Sequence, residues 1–183
     1  MSRHDDERRA NAAEILRIDA AFRAGDLAAL RAAVADPSAV PNGAMPLAIG
    51  SCLEYAIYHS PLAFIRTLLE AGAAPNPADH TGFPPLLAAV LAGQKVPGHP
   101  GRPDTHAIVD LLLAFGADPN IRGMNDETPL HVAVTLDDLP IVRALLAAGA
   151  DPHLPTRIDD QLTPLDLARA KKLDAMMALL EGR

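Results

Sequence analysis

Tryptophan is absent from the chain, cysteine occurs once, and Phe and Tyr number only four and two. So few aromatics argue against single-stranded nucleic-acid binding, which stacks bases on exposed rings. The lone Cys52 excludes an internal disulfide and a multi-cysteine zinc site. Basic residues are outnumbered by acidic ones, 16 to 23, and the net charge of −7 leaves no basic footprint for nucleic acid or a membrane surface. Long hydrophobic runs are missing too. The most apolar stretch, residues 44–69, is interrupted by Pro46, Glu54, His59, Pro61 and Arg66, short of the ~20 apolar residues a membrane span needs. The charged start, Met1-Ser-Arg-His-Asp-Asp-Glu-Arg-Arg9, has no apolar core behind it and does not read as a signal peptide. The expectation is a cytoplasmic protein.

What is present is alanine and leucine, 35 and 26 of 183 residues, the composition of closely approaching helices around an aliphatic core. Seventeen prolines, about twice average usage, imply frequent breaks between short helices. A hydrophobic fraction of 49% excludes disorder as the general state. The length suits one domain with a real core.

The strongest signal is repetition. Ala71-Gly-Ala-Ala-Pro-Asn76, Phe115-Gly-Ala-Asp-Pro-Asn120 and Ala148-Gly-Ala-Asp-Pro-His153 are one hexapeptide written three times. A second mark recurs as Pro84-Pro-Leu86, Thr128-Pro-Leu130 and Thr163-Pro-Leu165, and double leucines stand at Leu68-Leu69, Leu112-Leu113, Leu145-Leu146 and Leu179-Leu180. Thr128 and Thr163 are suited to N-cap helices whose first position is Pro129 or Pro164, where no N–H is needed. Glycines 72, 116 and 149 follow apolar helical runs, where a left-handed C-terminal residue closes a helix, and the following Pro stops it. Each unit therefore reads as helix, turn, antiparallel helix and returning loop.

The spacing of 33 between Gly116 and Gly149, with Thr128-Pro-Leu-His-Val-Ala133, Ile141-Val-Arg-Ala-Leu-Leu146 and Gly149-Ala-Asp151, resembles the ankyrin repeat. The resemblance implies an all-α solenoid of stacked helix-turn-helix units with projecting loops and a concave groove. It gives a charged segment over residues 1–11, open to disorder, then a single domain over 12–183. Its units lie at about 12–41, 51–76, 79–120, 121–153 and 163–183, with an insertion at 94–104 between the two helices of the third. Ser51-Cys-Leu-Glu54 replaces the usual start in the second unit, and polar Lys171, Lys172, Glu181 and Arg183 suit a terminal one.

No motif reads as an active site: a Gly-rich phosphate loop, a His-Glu-x-x-His and a Gly-x-Ser-x-Gly elbow are all missing. The pairs Asp137-Asp138 and Asp159-Asp160 fall in turns and read as solvated charge. His131 is expected to tether a loop by hydrogen bonds. Cys52 reads as a structural thiol, since His59, seven residues along a helix, is too distant to activate it. His80, His99 and His106, near Asp79 and Asp104, have a suitable ligand chemistry for zinc but match no standard spacing. The expectation is no catalytic residue, no cofactor and no metal.

By resemblance, partners contact the loop tips and the exposed face of each unit's first helix. Carried over by position, these are Met124, Asn125, Glu127, Thr135 and Leu136; His80, Phe83 and Leu91, with Thr81 and Ala92; Tyr58 and His59; and Asp159 and Asp160, with Leu162. Tyr58, Phe83, Leu91, Met124 and Leu136 would form an apolar stripe. Between Gly123 and Asp166 eight acidic residues face two Arg, a local charge of −6 that suits a basic partner. The expected function is a monomeric, non-catalytic module binding a protein partner. The alternatives are an enzyme or metal-dependent activity on the 94–106 insertion, or an inhibitor or immunity-type accessory of a co-expressed protein.

Overall fold

The computed structural model describes residues 3–43, 51–77, 83–98, 100–123, 125–158 and 161–182, with the backbone alone for 3–10. Helices and their connections make up these residues, grouped in two compact units, Met1–Ala74 and Pro75–Arg183.

The first unit holds α1 (Arg3–Ala24), α2 (Leu27–Ala33), a short 3₁₀ turn (Pro37–Ala39), α3 (Cys52–His59) and α4 (Leu62–Glu70). Helix α1 begins inside the charged segment and runs on without a break. Asp26 ends the first turn by accepting the Ala29 N–H at 2.9 Å, and Ser51 caps α3 through the Glu54 N–H at 3.2 Å. Helices α1 and α3 pack side by side, as do α2 and α4. Phe22 lies between Tyr55 and Phe64, with ring centroids 4.7 and 5.9 Å away. The Tyr55 hydroxyl donates to Asp19 at 2.6 Å, tying α3 to α1.

The second unit holds α5 (Pro85–Ala92), α6 (Thr105–Ala114), α7 (Pro129–Thr135), α8 (Leu139–Ala147), α9 (Pro164–Ala170) and α10 (Asp174–Leu180). Helices α5, α7 and α9 form one layer and α6, α8 and α10 the other, with each helix packed on the next in sequence within its repeat. Alanine explains the close stacking. Ala88, Ala89, Ala133 and Ala168 are fully buried, and Ile108, Leu112, Leu130, Val142 and Leu145 fill the space between layers. Every residue from Pro129 to Val134 is buried, so α7 reaches the surface only at its C-terminal residue, Thr135.

The double leucines are not all equivalent. Leu145 is fully buried while Leu146 is only half-buried. In α10, Leu180 rather than Leu179 is buried, because the leucine pair of α10 begins one position nearer its N-cap than that of α8. Leu180 and Leu145 both stand seven residues after their N-caps, Leu173 and Asp138.

The hexapeptide has a double purpose. Gly116 and Gly149 take φ of +83° and +94°, closing their helices. Its last residue then reaches forward. Asn76 donates to the Gly116 carbonyl and accepts the Asp118 N–H, both at 2.8 Å. Asn120 repeats this with Gly149 and Asp151 at 3.1 and 2.8 Å. In the first unit Asn42 does the same with Gly72 and Ala74, at 2.9 and 2.8 Å. His153 occupies the fourth position.

Candidate interaction surface

Two loops of the second unit, residues 121–128 and 151–163, lead into α7 and α9. Thr128 and Thr163 begin these helices, each followed by Pro. At Thr163 the box closes with Asp166, whose carboxylate accepts both the N–H and the hydroxyl of Thr163, at 3.2 and 2.7 Å. At Thr128 the partner is His131. Its Nδ1 accepts the Thr128 N–H at 3.1 Å, and its Nε2 donates to the Leu162 carbonyl at 3.0 Å, with the tautomer following from these bonds. His131 thus tethers one loop to the next, and its burial pushes its pKa below the usual value.

Asp126 joins the same two loops from outside. It is buried and has φ of +57°, a left-handed conformation uncommon outside glycine. Its carboxylate accepts the Arg157 backbone N–H and guanidinium, the latter at 2.6 Å, and the Arg122 guanidinium. Arg122 also donates to the Pro155 carbonyl at 2.9 Å. The Arg157 hydrogen bonds, helped by the charges of Arg122 and Arg157, hold the Asp126 pKa at about 2 against desolvation.

Between the loops lies a cleft of about 350 Å³. Asn125 and Glu127 line it with Thr156, Ile158 and Leu162, and His131 forms part of its wall. Glu127 is half-buried, and that burial raises its pKa above the ordinary carboxylate value. A second depression, of about 580 Å³, brings Thr135 and Leu136 beside Lys95, His106 and Asp138. There His106 Nε2 lies 3.0 Å from both oxygens of Asp138, which also caps α8 through the Ile141 N–H. The neck of the 94–104 insertion is closed: the Arg102 N–H donates to Ala92 at 2.7 Å, and its guanidinium clamps Asp104.

The residues named from the sequence divide accordingly. Asn125 and Glu127 share the first cleft, and Thr135 and Leu136 share the second. Phe83 and Leu91 are half-buried at the two ends of α5, whereas Ala92 is buried. Tyr58 is exposed at the end of α3 in the first unit, and the neighbouring His59 ring lies 4.4 Å from Tyr55. His80, Thr81, Met124, Asp159 and Asp160 lie outside the described residues, as do Asp79 and His99. Sequence reasoning missed Arg122, Asp126, Arg157, Thr156 and Ile158. Asp126 and Arg157 meet from 31 residues apart and Arg122 reaches Pro155 across 33, so local spacing carried no signal for the link between the loops, although Arg122–Asp126 and Thr156–Ile158 are close in sequence.

Cys52 is fully buried, and desolvation pushes its thiol pKa up to about 12, the setting of an inert thiol. Among the described residues, no three His, Cys, Asp or Glu side chains are placed to hold a metal ion. No helix among them is long and apolar enough to cross a membrane.

Residues 102–183 match the family model described as ankyrin repeats, three copies. A putative ankyrin repeat-containing protein of Treponema pallidum is 43% identical over 81 residues, 44% of this chain and 24% of that protein. NF-kappa-B inhibitor delta of Mus musculus is 33% identical over 90 residues, 49% of this chain and 24% of the relative. Alpha-latrocrustotoxin-Lt1a of Latrodectus tredecimguttatus is 31% identical over 116 residues, 63% of this chain and 7% of the toxin. The chain thus spans a quarter or less of the length of these relatives.

Proposed function

Because the chain belongs to the ankyrin-repeat proteins, whose role is protein–protein interaction, we propose that it is a non-catalytic module binding one protein partner through its loops and the adjoining helix ends. The contact surface comprises Asn125, Glu127, Thr135 and Leu136, continued by Phe83, Leu91 and Ile158. Tyr58 and His59 give the first unit a contact of its own. His80, Met124, Asp159 and Asp160 complete the loop-tip set by their sequence positions.

The observation that carries this reading is the Arg122–Asp126–Arg157 clasp. It fixes two surface loops against each other and leaves an open cleft between them. A surface held in shape before binding loses less conformational entropy on association. The acidic excess between Gly123 and Asp166 supports a partner with a basic surface, because such charge steers encounter. A relative named as an inhibitor is in keeping with action by binding. The protein acts as a monomer in the cytoplasm.

Affinity purification of the tagged chain from its native cell, followed by mass spectrometry, tests the proposal. One stoichiometric protein partner is expected, captured less well by an Asn125→Ala/Ile158→Ala variant. Equal capture by that variant, or turnover of a substrate by the purified chain, would overturn it.

A further inference from the structure

Glu127 is the single ionised side chain in the described lining of the cleft between the α7 and α9 loops. Burial raises its pKa, and no ion pair to it is found among the described residues. The nearest candidates are engaged elsewhere: Arg122 and Arg157 both bind Asp126. His131 is neutral, with one ring nitrogen accepting from Thr128 and the other donating to Leu162. Ile158, Leu162 and Leu167 give the cleft an apolar side. Asn125 and Thr156 supply side-chain oxygens, and the Thr156 hydroxyl donates its proton to the Ile158 carbonyl at 3.1 Å, leaving lone pairs to accept.

We infer that this cleft receives a lysine side chain of the protein partner, its methylenes along Ile158, Leu162 and Leu167 and its ammonium on Glu127, with Asn125 and Thr156 as further acceptors. The inference rests on the interaction reading above and assigns the chemistry of one contact within it. A carboxylate removed from water without a cation is unfavourable, and a partner ammonium relieves this where screening is weaker than on open surface. The choice of ammonium over guanidinium follows from the acceptors. Three separate oxygen-bearing groups suit three donors around one point charge, whereas a guanidinium favours a bidentate grip on one carboxylate. A cleft of about 350 Å³ has room for a four-carbon stem.

Hexylammonium, titrated into the full ¹⁵N-labelled chain at pH 7, reproduces the lysine side chain without any partner. Hexanol, hexanoate and butylguanidinium at equal ionic strength are the comparisons. Saturable amide shifts confined to residues 125–127, 156–158 and 162 are expected, strongest for hexylammonium. Glu127→Gln, which keeps shape and fold, should weaken it roughly tenfold or more. Shifts spread over the acidic surface, unchanged binding by Glu127→Gln, or equal binding of butylguanidinium would overturn the lysine assignment. Each such failure leaves the interaction reading standing, because that reading falls on partner capture being indifferent to Asn125 and Ile158.

Discussion

Asn120 holds Gly149 of the following repeat by its side-chain amide, 3.1 Å from the glycine carbonyl, and accepts the Asp151 N–H beyond it at 2.8 Å. The same side chain that ends one hexapeptide thus fastens the start of the next. Repeat proteins depend on such neighbour contacts, since no unit covers its own apolar face.

Asn120→Ala should therefore lower stability by about 1–2 kcal/mol, two half-exposed hydrogen bonds being lost. Asn120→Asp should cost at least as much, because it replaces the donor with a charge facing the Gly149 carbonyl. Chemical denaturation checks both. A midpoint equal to wild type for either would show that the bridge does not couple the repeats.

Core position within the leucine pairs should separate two otherwise identical substitutions. Leu145→Ala, at a fully buried site, should cost about 2–5 kcal/mol. Leu146→Ala, at a half-buried one, should cost clearly less. Similar losses at both sites would contradict the packing described for α8.

Acid should weaken the fold in two windows. The His131 pKa is lowered by burial, so the native state holds it neutral while the unfolded chain protonates near the ordinary value of 6.5. Its contribution is complete above that pH and is lost as pH falls through the folded pKa. A His131→Gln variant should lose this dependence below about pH 6.5. Asp126, Asp104 and Asp166 have lowered pKa values, so their contribution is complete above 3.8 and is lost as pH falls from there through the folded values, about 2 for Asp126. Thermal melting between pH 7.5 and 3 reads both, and a wild-type curve flat between pH 7 and 5 would contradict the tether.

Cys52 should be silent toward a thiol reagent in the folded protein and react fully in denaturant, given its burial and a pKa of about 12. Fast labelling of the native chain would mean that α3 opens or that its packing is misdescribed.

Much of this architecture was legible because its signals are local. Thr163 beside Pro164 announced a cap, and glycines 116 and 149 after apolar runs announced left-handed closures. His131 was legible as a tether from its place beside Thr128. The Asn bridge left a visible mark, the recurrence of Asn76 and Asn120, but its physics lies in the next repeat. The same holds for the clasp: Arg157 and Asp126 are 31 residues apart, and nothing in either loop's own sequence pairs them. Of the apolar stripe, Leu91 and Leu136 are half-buried at helix ends, because α5 and α7 are too short and too buried to show a broad face.

The loops before α7 and α9 are the proposed partner surface. Surface plasmon resonance of the captured partner against an Asn125→Ala/Ile158→Ala variant tests it most directly, with Arg17→Ala in the first unit as control. Binding by the double variant should weaken about tenfold or more, with an unchanged melting temperature and a control like wild type. A double variant that binds as tightly as wild type would place the interface elsewhere.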